Sequence, residues 1–371
     1  MGFLLMKQPC ATNCNILLTL FIIIFYLLVI CTTKAARIKI PDGNGTFPAL
    51  IAFGDSILDT GNNNDLLSTA KCNFPPYGIN FVGKKPTGRF CDGELLTDII
   101  AQGLGIKEAV PAYHDPNLHS KDLLTGVCFA SSGSGLDPLT ALQLHVISLQ
   151  GQYNDFKEYI EKLKGIAGEE KAKNIISNSV YLLSAGNNDI AITYFNTPSR
   201  IPLFSIESYT TRMITWTSTF IQDLHTLGVR RVAVLSTIPL GCLPGVRTQR
   251  GGPFRHCSNH LNEAALLFNS KLSSSLKNLN SFLPQANIVY VDVFTPLFDL
   301  INNPERTEFS VRDRGCCGTG TMELGPLCTE FTPHTCSNAS EFIFWDSVHP
   351  SERANRIIAS PIVKNLKSSF S

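Results

Sequence analysis

Two kinds of run alternate along this chain. Short, nearly unbroken apolar stretches occur at Ala49 to Phe53, Gly126 to Ser131, Val180 to Ser184, Arg231 to Ser236 and Asn287 to Val293. Runs of that length and composition read as strands buried on both faces. Between them lie longer segments with helical spacing. Glu94 to Leu104 sets Leu95, Ile99 and Leu104 on one face, and Gln152 to Leu163 follows the same pattern. Ile206 to Leu227 repeats Tyr209, Met213, Trp216, Phe220, Leu224 and Leu227 at spacings of three and four, with Gly228 as the stop. Ser258 to Phe282 aligns Leu261, Phe268, Leu272, Leu276 and Leu279. Strands alternating with helices predict an α/β fold: a three-layer α/β/α sandwich around a central, mainly parallel five-stranded sheet. No internal repeat is present, and residues 37–371 read as one domain. Gly61 to Arg89 has no period and is rich in Asn, Gly and Pro, which marks a long functional loop.

The N-terminal run is of another kind. Lys7 precedes an apolar stretch from Ile16 to Ile30, and Thr33-Lys34-Ala35-Ala36 supplies small residues for cleavage, so residues 1–36 read as a secretory signal peptide. An uncleaved anchor helix is the alternative, because the stretch approaches bilayer-spanning length. Removing residues 1–36 leaves 29 basic against 30 acidic side chains, a net charge of −1. Only 16% of the 371 residues are charged, so nucleic acid and anionic membrane surfaces are excluded as partners. Secretion is the expected destination, with no stable membrane insertion after cleavage and a monomer as the expected state. Of 12 cysteines, nine follow the signal: eight fall in loops, placed to pair in an oxidising compartment, with Cys72 and Cys91 as a staple for the Gly61 to Arg89 loop. Cys128 is the ninth, a small hydrophobe inside a strand. No C-x-x-C pair points to a metal. Asn44-Gly45-Thr46 and Asn338-Ala339-Ser340 are sequons, so Asn44 and Asn338 are expected glycosylation sites on a secreted chain.

The candidate chemistry begins where the first strand breaks, at Phe53-Gly54-Asp55-Ser56. Ser56 sits where a strand usually hands over to a helix. A serine needs a base to become a nucleophile, and Asp346-Ser347-Val348-His349-Pro350 offers one. On one helical turn Asp346 would hold one nitrogen of His349 and leave the other for Ser56. Taken singly these residues have plainer readings: Ser56 and Asp346 as helix caps, and His349 as a boundary residue held extended by Pro350. Ligands in open parallel sheets bind beyond the carboxyl ends of the strands. Ser56 follows the first strand, Gly133 the second and Asn188 the third, so the Ser56 and Gly133 amides and the Asn188 side chain are candidate donors to an oxyanion. By themselves Gly133 and Asn188 read as turn residues, with Gly135 competing for the role of Gly133. Asp55 and Asp59 read as loop-holding acceptors, and the remaining histidines have no partner at informative spacing.

Four blocks carry a resemblance: Phe53-Gly54-Asp55-Ser56, Gly126 to Gly135, Gly186-Asn187-Asn188-Asp189, and Asp346 to Pro350. In that order they are similar to the sequence blocks of the GDSL esterase/lipase family within the SGNH hydrolases. The plant branch is the nearest likeness, because its secreted members carry a cysteine-rich stretch where Cys316-Cys317 to Cys336 stands. The resemblance implies a flavodoxin-like sheet, a triad of Ser56, Asp346 and His349, an oxyanion hole of Ser56, Gly133 and Asn188, and no metal or organic cofactor. Cys128 departs from the Asn usual in plant members, and Ser132 stands where Gly or Ala is common. The expected activity is hydrolysis of carboxylic esters, lipid or cell-wall, through an acyl-enzyme in the cell wall or apoplast. A carbohydrate O-acetyl esterase and a non-catalytic extracellular binding protein are the alternatives. Absence of G-x-S-x-G and H-E-x-x-H excludes the α/β-hydrolase elbow and the zincins.

Overall fold

A computed structural model describes residues 46–197, 199–303 and 308–370, together with Gly2. Apart from Gly2, the segment 1–36 lies outside the described residues, as does Asn44. From Gly43 onward the chain forms one compact unit. Its centre is a parallel sheet of β1 (Leu50–Gly54), β2 (Val180–Ser184), β3 (Arg231–Leu235) and β4 (Asn287–Val291), side by side in that order. The register is in step, so Gly54 pairs with Ser184, Ser184 with Leu235 and Leu235 with Val291. All four strands therefore end at one edge. Every residue of β1 and β2 is buried, as expected when helices cover both faces of a parallel sheet.

The fifth expected strand, Gly126 to Ser131, runs along the free edge of β1 without forming a regular ladder. Phe129 N–H donates to Ala52 O at 2.7 Å and Ser131 N–H to Gly54 O at 2.9 Å, yet the strand pairing is a single bridge between Ala52 and Cys128. One rung on the β1 side is diverted, because Gly54 N–H donates to Gln152 Oε1 at 2.8 Å, and the outer side is occupied as well. The Asn62 amide donates to Cys128 O at 2.9 Å and Ala130 O at 2.8 Å, and Tyr113 N–H also reaches Cys128 O. With this segment counted second, the spatial order is 2-1-3-4-5, the flavodoxin-like order whose topological switch lies at β1. Cys128 is a buried free thiol that donates to Leu58 O at 3.2 Å, and burial pushes it up to about 12.

The periodic segments fold as helices at Leu96–Gly103, Leu149–Ala167, Ile206–Thr226 and Asn259–Phe282. Ser205 caps the third, its hydroxyl accepting from Ser208 N–H at 3.2 Å. Ile206–Thr226 packs on Asn259–Phe282, and Leu96–Gly103 on the C-terminal helix Glu352–Phe370. Trp216 and Leu227 are only half-buried, at the margin of the apolar stripe they were assigned to. A second sheet, not foreseen from the sequence, pairs β5 (Val311–Gly315) with β6 (Phe342–Phe344).

Among the described residues three disulfides form: Cys242–Cys257, Cys316–Cys336 and Cys317–Cys328. The expected staple between Cys72 and Cys91 does not; both are buried free thiols. Cys72 packs among Tyr77, Phe90 and Trp345, whereas the Cys91 thiol contacts Glu94 O and Pro350 O, so burial in separate surroundings takes the place of a bond. Among the described residues no helix is long and apolar enough to cross a membrane.

Candidate active site

Beyond β1 the backbone does not enter a helix as expected. Ser56 lies in a single turn, closed by Leu58 N–H and Asp59 N–H donating to Asp55 O, both at 3.1 Å. The turn is held from below. Gln152 clamps Gly54 at both ends of its peptide, Oε1 accepting from Gly54 N–H at 2.8 Å and Nε2 donating to Gly54 O at 2.9 Å. The buried Asp55 carboxylate accepts from Ile57 N–H at 3.1 Å, Ser184 Oγ at 3.0 Å and Asn187 Nδ2 at 2.9 Å. Burial pushes this carboxyl up to about 6, and the hydrogen bonds, led by that from Asn187, pull against the rise.

Asp346 and His349 arrive on the bend after β6, not on a helical turn. Asp346 Oδ1 accepts from Val348 N–H at 2.8 Å and His349 N–H at 2.7 Å, an Asx-type bend that curls the chain so the ring folds back over its own carboxylate. His349 Nδ1 lies 2.9 Å from Asp346 Oδ2 and 3.0 Å from Oδ1, while Nε2 lies 2.8 Å from Ser56 Oγ. Residues 293 positions apart thus share a hydrogen bond. The imidazole rests against Phe90, ring centres 4.7 Å apart. Asp346 is fully buried, and Tyr77 OH donates to its Oδ2 at 2.9 Å.

Gly133 and Asn188 are brought to the same place. Ser56, Gly133, Asn188 and His349 line one cavity of about 540 Å³. Among the described residues neither the Ser56 nor the Gly133 amide donates to a protein acceptor. Asn188 Nδ2 donates to Ser134 O at 2.9 Å, which uses one amide hydrogen and leaves the other. Gly133 has φ +83°, a backbone region that disfavours side chains. Gly135 is required for another reason, since a Cβ there would lie 2.6 Å from the Asp189 carboxylate. That carboxylate accepts from Leu136 N–H at 2.9 Å, Asp137 N–H at 2.7 Å and Thr140 Oγ1 at 2.9 Å, tying the Asn188 turn to the Gly133 loop. Asp59 braces the loop from its other side through Ser132 N–H at 2.8 Å and Ser132 Oγ at 2.7 Å.

The rest of the cavity is mostly apolar, with Leu144, Ile192, Ile238, Leu243, Val246 and Met322 on its walls. The Gly61 to Arg89 loop contributes Thr69 and Ala70, with Phe90 just after it. The cysteine-rich arch contributes Met322, Leu324, Pro326 and Leu327. Its two disulfides brace the strand that leads to Asp346: Cys316 N–H donates to Phe344 O at 3.1 Å and Cys317 N–H to Trp345 O at 2.8 Å. Gln152 and Tyr77 escape a reading of the sequence, because their partners lie 98 and 269 positions away. The described residues hold no group of His, Cys, Asp and Glu suited to a metal ion.

The chain matches the family of GDSL-like lipases and acylhydrolases over residues 50–362. GDSL esterase/lipase EXL3 of Arabidopsis thaliana is 46% identical over 365 residues, spanning 98% of this chain and 100% of that protein. Another GDSL esterase/lipase of the same plant is 51% identical over 327 residues, 88% of this chain and 93% of that protein. A solved catalytic mutant of the acetylxylan esterase Axe2 from Geobacillus stearothermophilus aligns with a TM-score of 0.38 and 12% identity, over 87% of this chain and 95% of that one. The chain belongs to the GDSL-like lipase/acylhydrolase family, and its reaction class is carboxylic ester hydrolysis.

Proposed function

We propose that this member of the GDSL family is a secreted serine esterase/lipase that works through an acyl-enzyme. One observation carries the reading: the His349 ring spans from Asp346, 2.9 Å from Nδ1, to Ser56 Oγ, 2.8 Å from Nε2. In the first half-reaction Ser56 Oγ attacks the ester carbonyl carbon as its proton passes to His349 Nε2. The carbonyl oxygen becomes an oxyanion, held by the Ser56 and Gly133 amides and the Asn188 side chain. The tetrahedral adduct collapses, the bond to the alcohol oxygen breaks, and His349 returns the proton to that oxygen. Water then repeats the sequence on the acyl-enzyme, with His349 as base, and the acid leaves. Asp346 keeps the imidazole in the tautomer and orientation both halves need.

The apolar wall favours an ester with a hydrophobic acyl or alcohol portion over an acetyl group on a polysaccharide, since a cavity of about 540 Å³ is of ligand-binding size. Cleavage after residue 36 and release to the cell wall or apoplast suit the three disulfides, which persist in oxidising compartments. Glycosylation at Asn44 and Asn338 belongs to the same reading; Asn338 is exposed, and the Ser340 hydroxyl of its sequon donates to Asn338 Oδ1 at 2.6 Å. A fluorophosphonate probe tests the chemistry. Labelling of the parent, lost in Ser56→Ala, is the expected result, and absence of labelling in folded parent protein would point to a binding protein on the same fold. A series of p-nitrophenyl esters from acetate to palmitate then ranks acyl length, with preference for the longer chains expected.

A further inference from the structure

We propose that Tyr77 is a positioning residue of the site: its hydroxyl holds the Asp346 oxygen that faces Nδ1 of His349, and so sets both the placement and the basicity of the imidazole. The inference rests on the reading of Ser56, His349 and Asp346 given above.

The direction of the hydrogen bond is fixed by its neighbours. Gly325 N–H donates to Tyr77 OH at 2.8 Å, which occupies the oxygen as acceptor and turns the phenolic hydrogen toward Asp346 Oδ2, 2.9 Å away. The ring cannot swing out. It is 1% exposed and meets Phe74, Phe90 and Trp345 edge-on, with ring centres 5.6 to 6.0 Å apart. Phe90 in turn supports the His349 ring. Asp346 therefore has each oxygen committed: Oδ1 to the backbone amides of Val348 and His349, Oδ2 to Tyr77, with the imidazole across both. A donor on Oδ2 draws negative charge away from the imidazole.

Other ionisable groups face this pair. Asp55 acts on His349 from beneath the turn, and Cys72 acts on Tyr77 and Asp346 from the aromatic cluster. Burial drives the Cys72 thiol and the Tyr77 phenol upward, so both stay neutral where esterases are assayed. Asp55 titrates in parent and variant alike, so a difference between them belongs to Tyr77.

The experiment is Tyr77→Phe beside Phe74→Leu, which trims the same cluster without touching a hydrogen bond. Each is assayed with a p-nitrophenyl ester from pH 4.5 to 9, and Tm is read in parallel. Without the hydroxyl, Asp346 acts on the imidazole undiluted. The acid limb of kcat/KM in Tyr77→Phe is expected to move up by about half a pH unit. Its kcat should fall about tenfold with KM nearly constant, the size of a charge-assisted hydrogen bond in a buried site. Phe74→Leu lowers Tm and leaves the acid limb in place. An acid limb in Tyr77→Phe that stays put or moves down overturns the proposal, whatever happens to Tm. Ser56→Ala is run alongside: retained hydrolysis there overturns the underlying reading as well, whereas normal dependence on Ser56 with an unmoved acid limb overturns the role of Tyr77 alone.

Discussion

Asp55→Asn is expected to alter the pH dependence of stability in a direction that the buried carboxylate dictates. In the folded chain this carboxyl sits at about 6, against 3.8 for the free group. Below 3.8 both states are protonated and the residue carries no burial penalty. As pH rises through 6 the folded state must ionise a group enclosed by protein, and stability is lost over that interval. The shift of about two units corresponds to about 3 kcal/mol. Asn cannot ionise, but it cannot serve all three donors either. Asn187 donates to one Asp55 oxygen while its own Oδ1 accepts from Ile238 N–H at 3.1 Å. Turning Asn187 to suit the new amide would orphan Ile238, so one buried hydrogen bond is lost, about 1–3 kcal/mol. The variant should be clearly weaker than the parent at pH 4, and the gap should narrow by about 2–3 kcal/mol by pH 7.5. Urea unfolding followed through Trp216 and Trp345 fluorescence, with the disulfides intact, measures both chains across that range. A gap that is flat or widens with pH refutes the argument.

Two further outcomes test the site from other sides. Asn188→Ala removes one donor of the proposed oxyanion hole while leaving Ser56 and His349 in contact, so kcat should drop by about 10²–10³ with KM little changed; a drop under threefold would remove Asn188 from that proposal. Val246→Trp places an indole on the cavity wall, and kcat/KM for a palmitate ester should fall about tenfold more than for acetate, with equal losses for both counting against that wall as the acyl site.

Much of this architecture was legible because it follows from local patterns. The apolar runs named the four strands of the ladder, and the 3.6-residue stripes named the long helices to within a few residues. A rule about strand ends puts Ser56, Gly133 and Asn188 at one edge; the in-step register of β1 and β2 brings Ser56 and Asn188 there, and Gly133 lines the same cavity. The second run, Gly126 to Ser131, reads as a strand and hydrogen-bonds as one to β1. Its ladder is incomplete where Gly54 N–H is taken by the side chain of the distant Gln152, and Asn62 takes its outer carbonyls where a further strand would pair. The Asp346 to His349 spacing suggested a helical turn, whereas an Asx-type bend delivers the same contact; three-residue separation does not distinguish the two. Disulfide pairing and the Tyr77 contact were out of reach. Cysteine spacing alone does not choose among pairings within the aperiodic stretch Asp313 to Cys336, and the Tyr77 contact depends on how the Gly61 to Arg89 loop lies against Gly325 and Asp346.

The strand that presents Asp346 leans on Cys316 and Cys317, and each of those residues is tied by a sulfur bridge into the arch that also holds Tyr77. The acid side of the machinery therefore depends on a covalent step that only an oxidising environment completes. A chain held in reductant would lose both bridges, and the strand that carries Asp346 would lose the brace that Cys316 and Cys317 give it.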